Sequence, residues 1–158
     1  MDMDVPRVAD RRGPSELAIV ELSEEECLRL LKTQDMGRLA VVVGGRPTIF
    51  PVNYAVDERL VVIRTDPGAK LEHAPLGWVA FEVDQFDPVS LSGWDVVVSG
   101  VARDVTDAVD ETSTRLRAVE VVPWVTGEKA HRLAIFDATI TGRRLVSAGD
   151  ADAPPGPS

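Results

Sequence analysis

The stretch VVIRTDPGAKL, residues 61–71, holds the side chains of this sequence that are best suited to bind an anion. A β-branched run ends in Arg64 and Thr65, and a glycine-containing turn then brings Lys70 about one helical turn into the next element. Phosphate monoesters are bound by such donors when they converge: a guanidinium, a hydroxyl, backbone N–H groups at a helix start and an ammonium. The pattern predicts a phosphate site, although ordinary surface charges beside a hairpin turn would give the same spacing.

The other residue types that do chemistry stand alone. The segment is not a P-loop, since it lacks the closely spaced glycines and the Gly-Lys-Ser/Thr ending. His73 and His131 have no motif that supplies a nucleophile or a metal-ligand partner. Cys27 is the single cysteine, so it forms no intramolecular disulfide, and its apolar neighbours indicate a buried structural thiol. The sequence therefore indicates neither a hydrolytic constellation nor a metal site.

Length and charge narrow the class of protein. With 158 residues and 44% hydrophobic content, the chain is long enough for one core and short for two ordinary domains. Its 17 basic and 26 acidic side chains give a net charge of -9, which disfavours binding to nucleic acid or anionic membrane. No apolar run approaches the roughly 18 residues of a membrane helix, and the N-terminus has no apolar core segment. We expect a cytoplasmic protein.

The elements that position the phosphate turn belong to one domain over residues 16–148. Residues 1–15 and 149–158 are rich in charge, proline and glycine and are predicted to be disordered tails. Ser23 followed by Glu26 is a capping box, which predicts a helix over residues 23–33.

Strand patterns fill most of the remaining domain. The runs RLAVVV, RPTIFPVNYAV and RLVVIRT, separated by Gly-Gly and Asp-Glu, predict a three-stranded meander. Pro47 and Pro51 require the second strand to lie at an edge or to turn these positions out of the pairing. Three further strand runs are GWVAFEVDQF, GWDVVVSGVARDV and RLAIFDATITGRRLV. Short helices are predicted within residues 66–75 and 107–119, the latter with Val109, Leu116 and Val119 on one face. About six mostly antiparallel strands without long crossover helices predict a mainly β fold, a small barrel.

The linear order of four motifs resembles the pyridoxamine 5'-phosphate oxidase-like, FMN-binding split-barrel family. The motifs are GRLAVVVGGRPTIFPVNYAV, VVIRTDPGAKL, GWDVVVSGVARDV and ITGRRL, and the resemblance spans residues 22–146. It implies a six-stranded antiparallel split barrel that works as a homodimer, with FMN held between the subunits. It also implies a flavin-dependent oxidoreductase that transfers hydride or electrons through flavin N5 to or from a small-molecule substrate. A deazaflavin coenzyme is the alternative cofactor, and a non-catalytic carrier of flavin, deazaflavin, haem or bilin is the alternative function.

The resemblance also implies cofactor contacts in the strands around the turn. Arg64, Thr65 and Lys70 correspond to the family's phosphate-binding turn. The strand that contains Ile49, Pro51 and Val52 corresponds to the one along the flavin ring, with backbone groups of residues 49–52 near its polar edge. Asn53 follows these residues. Its amide could reach the ring edge or could satisfy a backbone group at the barrel end, and the two readings stay open.

A second set of candidates lies on later strands. Trp94 opens the strand that crosses the dimer interface in the family; it could cover a ring face, although packing at the interface is favoured. Ser99 shares a strand face with Asp95 and is a plausible donor if that face meets the flavin. Arg143 and Arg144 are either cofactor-mouth residues or solvated strand ends, and Trp124 either lines a pocket or plugs the barrel. True pyridoxamine 5'-phosphate oxidase activity is not expected, because the second strand carries no basic residue inside the pocket.

Overall fold

The computed structural model describes residues 17–65, 77–123 and 131–147. Strands make up most of this structure. In chain order, the strands and the two helices are β1 (Leu17–Glu21), α1 (Glu24–Leu31), β2 (Met36–Val43), β3 (Arg46–Asp57), β4 (Leu60–Thr65), β5 (Trp78–Asp87), β6 (Ser92–Asp104), α2 (Glu111–Ala118) and β7 (His131–Ser147). The turn and helix predicted at 66–75 and the tails predicted at 1–15 and 149–158 lie outside the described residues.

Six strands close into an antiparallel barrel. They follow the order β7, β4, β3, β2, β5 and β6, and β6 pairs again with β7 to complete the ring. A β-bulge between Ser99 and Val101 interrupts that last pairing, and bulges of this kind bend a sheet where it must curve. The predicted mainly β split barrel is confirmed. The seventh strand, β1, was not predicted, and it pairs with the end of β7 beyond the residues of β7 that pair with β4.

The sheet has an inner and an outer face, and each is covered differently. The inner face forms the main core inside the barrel, whose larger members include Leu39, Ile63, Phe81 and Val96. On the outer face a smaller cluster lies where α2 covers β4 and β7. It is made of Val62, Val105, Leu116, Val121 and Ala134. Because successive residues of a strand point to opposite faces, this division assigns every side chain of β4 to one face or the other.

Helix α1 begins at the predicted capping box. The Ser23 side chain accepts from the Glu26 backbone, and the Glu26 carboxylate accepts from the Ser23 N–H at 2.9 Å, so these hydrogen bonds hold the pKa of Glu26 below its ordinary value. Cys27 on this helix is fully buried, as the sequence predicted. Tyr54 donates its hydroxyl to the Leu31 carbonyl at 2.5 Å, which ties the end of α1 to β3.

The predicted meander is confirmed as β2, β3 and β4.

The prediction that Val109 lies on the apolar face of α2 was wrong. Val109 does not share the helix face with Leu116: the helix is capped by Asp110, and Val109 lies before it, almost wholly exposed. A capping aspartate fixes where the helix starts more strongly than an apolar residue one position upstream. Within the described residues, none of the helices is long and apolar enough to cross a membrane.

Candidate functional site

An unpaired stretch of sheet edge runs along the first half of β3. Residues 46–53 pair with β2, but β4 pairs only with Asn53–Asp57 and then ends at Thr65. Residues 46–52 therefore have no strand partner on that side within the described residues. Among the described strands this leaves an opening in the barrel wall, which is bordered by backbone hydrogen-bonding groups of β3.

The two prolines determine which groups this edge presents. Tyr54 N–H donates to the Asp35 carbonyl on the β2 side at 3.1 Å. Since β2 and β3 pair without a bulge, odd-numbered residues direct their N–H and C=O groups the other way, towards the opening. Pro47 and Pro51 have no N–H. The edge thus offers the carbonyls of residues 47, 49 and 51 and the N–H of Ile49 between the prolines. The edge placement predicted for the prolines is confirmed.

Side chains of the same odd-numbered residues lie on the outer face of the barrel. Ile49 is 64% exposed, and Pro51 is also exposed. Val52, by contrast, is buried in the main core, and its backbone N–H and C=O face β2, so neither its side chain nor its backbone groups are directed at the opening. The Asn53 amide donates to the Asp35 carbonyl at 3.2 Å. Of the two readings left open for Asn53, this bond corresponds to the backbone-satisfying one.

A row of polar side chains crosses the outer face where β4 ends. Arg64 lies directly opposite Asn53 on β3 and directly opposite Arg132 on β7. Directly opposite residues place their side chains on the same face, with Cβ atoms about 5 Å apart. Asn53, Arg64 and Arg132 therefore form one row, which we call the arginine row. It adjoins the unpaired edge of β3.

Arg132 is held from several sides. Its N–H donates to the Thr106 hydroxyl at 2.9 Å, and its carbonyl accepts from Val105 N–H at 2.8 Å. Its guanidinium donates through Nη1 to the Val119 carbonyl at 2.7 Å. Burial, followed by the nearby charge of Arg64, lowers the pKa of Arg132 from its ordinary value. Two cations are thus placed close together at the end of β4, in a protein whose net charge is -9.

Thr65 is separated from Arg64 by the alternation of the strand. It follows the parity of Ile63, which lies in the inner core, and its own side chain is buried. Arg64 follows the parity of Val62, which lies in the outer cluster. The convergence predicted for the Arg64 and Thr65 side chains is therefore not present on the strand itself. Lys70 lies outside the described residues.

The candidates on β6 are also separated from the opening. Trp94 is 8% exposed and belongs to the main core, so it packs inside its own barrel instead of presenting a ring face at the surface. Ser99 is exposed on the outer face with Asp95 and Val97, as the alternation predicted. It stands opposite Ala80 on β5, which stands opposite Ala40 on β2 and then Ile49 on β3. Three strand spacings, about 14 Å, separate Ser99 from the β3 edge of the same chain.

The two arginines at the end of β7 differ in their surroundings. Arg143 forms an ion pair with Asp95 at 3.1 Å across the β6–β7 ladder. Arg144 lies opposite Trp94 and adds a favourable charge near Glu26. Both positions are distant along β7 from Arg132, at the far end of the same strand. Trp124 lies outside the described residues.

Sequence reasoning missed Arg132. The residue opens the strand run RLAIFDATI, where it reads as a solvated strand end. Its significance depends on the register between β4 and β7, which no local pattern gives. A signal was nevertheless available: a basic residue at the start of one strand and another at the end of an antiparallel neighbour would be brought together if those strands paired.

The fold defines a class, a six-stranded antiparallel split β-barrel of the pyridoxamine 5'-phosphate oxidase-like type. Comparison with known proteins agrees. Residues 23–144 match the family described as pyridoxamine 5'-phosphate oxidase, and the chain belongs to that family.

Two solved structures and one curated protein are similar over most of the chain. The FAD binding protein from Mycobacterium smegmatis is 38% identical, with a TM-score of 0.67 over 79% of this chain and 98% of that one. A FAD-binding protein from Mesorhizobium loti is 25% identical, with a TM-score of 0.63 over 80% of this chain and 97% of that one. The uncharacterized protein Rv0080 of Mycobacterium tuberculosis is 35% identical over 82% of this chain and 87% of its own length.

Proposed function

We propose that this protein binds a flavin nucleotide across the opening beside β3 and uses it in oxidoreduction of a small molecule. The observation that carries the proposal is the meeting of two features at one place: an unpaired backbone edge and a row of cations. Similar proteins described as FAD-binding support the choice of a flavin. FMN is the form we propose first, and FAD, which contains the same ribityl phosphate, is the second candidate.

The β3 edge suits the pyrimidine side of a flavin ring. That side of the ring presents an N–H between two carbonyl oxygens, so it needs both an acceptor and a donor. Ile49 supplies both on the open side of β3, and the prolines on either side of it leave carbonyl acceptors only. Exposed Ile49 and Pro51 side chains lie beside these groups and add apolar surface for a planar ring.

The arginine row suits the phosphate. Asn53 stands four residues from Ile49, which is about 13 Å along an extended strand. Arg64 is opposite Asn53, so a cation lies about 13 Å from the proposed ring-edge site, a span that the pyrimidine ring, the extended ribityl chain and the phosphate ester would cover together. Lys70, which follows Arg64 after the glycine-containing turn, is proposed as a further phosphate ligand. A bound flavin would supply the electron-transfer chemistry, while the chain holds, orients and shields it.

The absorption spectrum of the purified protein tests this proposal. We expect flavin bands near their usual positions after purification or after addition of flavin nucleotide, and mass spectrometry of the released cofactor should identify FMN or FAD. Absence of any bound or bindable flavin would refute the proposal. A deazaflavin coenzyme or a haem in the mass spectrum would support the carrier role instead.

Turnover is separated from carriage by a second measurement. Reduced, flavin-loaded protein is mixed with candidate acceptors in a stopped-flow instrument. An enzyme shows oxidation rates that depend on the identity and concentration of the acceptor. Rates that do not depend on the acceptor would favour a flavin carrier.

We further propose that a second copy of this chain covers the outer face of β2, β3 and β5. Trp78 is 75% exposed there, and Val42 and Ile49 are exposed on neighbouring strands. Ala40 on β2 is paired with Ala80 on β5. Val42 lies two residues after Ala40 and Trp78 lies two residues before Ala80, so both side chains share the face of that pair. Exposed apolar clusters of this kind mark protein interfaces. We call Val42, Ile49 and Trp78 the outer patch.

The charges beside the outer patch fit a two-fold interface. Arg38 pairs with Glu82 at 3.1 Å and with Asp84 at 2.5 Å on the same face. A two-fold axis would bring this cluster of one arginine and two carboxylates against the same cluster of the second copy, so that the arginine of each copy can pair with a carboxylate of the other. Ser99 lies far from the β3 edge of its own chain, and in such a dimer the partner's flavin is the ligand it would contact.

A further inference from the structure

We infer that Arg132 is a second guanidinium ligand for the flavin phosphate and that, with Arg64, it makes the site selective for a phosphate-bearing flavin. The inference rests on the proposed function for the identity of the ligand. That the two arginines lie opposite each other follows from the register of β4 and β7 and does not depend on the proposed function.

Like charges placed directly opposite each other across a strand pair destabilise the sheet. The cost rises where the groups are partly removed from water, as Arg132 is. A dianion bound between the two guanidiniums would gain charge-assisted hydrogen bonds from both of them. The register of β4 and β7 therefore places two guanidiniums where one dianion can contact both.

The geometry of Arg132 is suited to binding and not only to packing. Its backbone N–H and C=O are both hydrogen-bonded, to Thr106 and Val105, and one guanidinium nitrogen is fixed by the Val119 carbonyl. A guanidinium carries five N–H donors, so the bond to Val119 leaves donor capacity on a group whose position is already set. Such preorganisation reduces the entropy lost when the ligand binds.

A purely structural role is the competing explanation. In that case Arg132 serves only to hold the Val119 carbonyl and the segment after α2. Substitution would then lower stability and weaken all flavins to the same extent. A phosphate ligand predicts a different result, because riboflavin has the same ring and ribityl chain without the phosphate.

The test compares three ligands and three variants. Dissociation constants for FMN, FAD and riboflavin are measured with the wild type, Arg132→Gln, Arg132→Lys and the control Arg115→Gln. Arg115 is an exposed arginine that pairs with Asp57, at the other end of the β3–β4 ladder, so it controls for loss of one positive charge. Melting temperatures show whether each variant is folded.

We expect Arg132→Gln to weaken FMN by about 10- to 100-fold and riboflavin by less than about threefold. Arg132→Lys should recover part of the FMN affinity, and Arg115→Gln should behave as the wild type. A loss for FAD equal to that for FMN identifies the shared ribityl phosphate as the ligand, and a loss for FMN alone identifies the terminal dianion. Equal losses for FMN and riboflavin, or no loss for FMN, would overturn the inference.

Inorganic phosphate separates this inference from the proposed function. If the wild type binds no flavin, the proposed function fails, yet phosphate should still raise the melting temperature of the wild type and do so much less in Arg132→Gln. Absence of any such difference would refute the anion site itself. Should Arg132→Gln not fold, the same comparison is made with Arg132→Lys and by competition of phosphate against FMN and riboflavin in the wild type; competition against both alike would overturn the inference.

Discussion

At the scale of residues, the phosphate-binding assignment combines a local pattern with a long-range pair. Arg64 and Lys70 were predicted from their spacing together with the family resemblance, while the position of Arg132 opposite Arg64 comes from the strand register. We expect Arg64→Ala combined with Lys70→Ala to weaken FMN by about tenfold or more and riboflavin by less than about threefold, since only FMN carries the phosphate that these cations would hold. Fluorescence titration of both ligands measures this ratio. Equal losses would refute the phosphate assignment for Arg64 and Lys70.

Residue chemistry could be predicted where it is local and not where it depends on which face a side chain occupies. The Ser23–Glu26 capping box and the buried Cys27 were found from neighbouring residues. Thr65 was grouped with Arg64 because they are adjacent in sequence, yet adjacency in a strand places their side chains on opposite faces. For Trp94 a place at the dimer interface was favoured, whereas its position in the β6 ladders turns it into the core of its own barrel.

At the scale of elements, the contact between α1 and β7 depends on a glycine. A Cβ on Gly142 would lie 2.7 Å from the Cys27 Sγ and 2.9 Å from the Asp95 carbonyl, and the Gly142 carbonyl accepts from Leu22 N–H. We expect Gly142→Ala to lower the free energy of unfolding by about 1–3 kcal/mol, because neither backbone nor buried sulfur can move away freely. Chemical denaturation measures the change.

Gly77→Ala is the matched control for that substitution. A Cβ at Gly77 meets nothing within 4 Å, so we expect a change within about 0.5 kcal/mol. If the two variants were equally stable, close packing of α1 on β7 would not be the reason for a glycine at 142.

The elements themselves were predictable to different degrees. Strands β2, β3 and β4 follow from turn residues and β-branched runs, which act over a few positions. Strand β1 has five residues without turn signals, and it exists because β4 pairs only with residues 131–135 of β7, which leaves the same edge of β7 open to β1 at residues 143–147. Pro47 and Pro51 indicated an unpaired edge on β3, because proline cannot donate a hydrogen bond to a neighbouring strand.

At the scale of the whole molecule, the outer patch predicts a dimer. We expect the wild type to sediment as a dimer and Val42→Glu to raise the dimer dissociation constant by about tenfold or more, because the variant buries an unpaired carboxylate in the interface. Val109→Glu introduces the same change at an exposed valine just before α2 and should leave the dimer intact. A monomeric wild type that binds flavin tightly would contradict the proposed dimer.

Closure of the barrel was the part of the architecture that strand patterns could not give. The ring depends on β7 pairing with both β4 and β6, and β4 is far from β7 in sequence. Strand runs joined by short connections predicted a small antiparallel barrel, and the resemblance to the family predicted that it is a split barrel. Membership of the pyridoxamine 5'-phosphate oxidase family agrees with both.

Titration of the wild-type protein, freed of cofactor, with FMN and with riboflavin tests the central claim most directly. With a phosphate on the arginine row and a ring along the β3 edge, both ligands should bind, and FMN should bind about tenfold or more tightly. Raising the salt concentration should narrow the difference, because the added affinity is electrostatic. Equal affinities for the two ligands, or binding of neither, would contradict the claim.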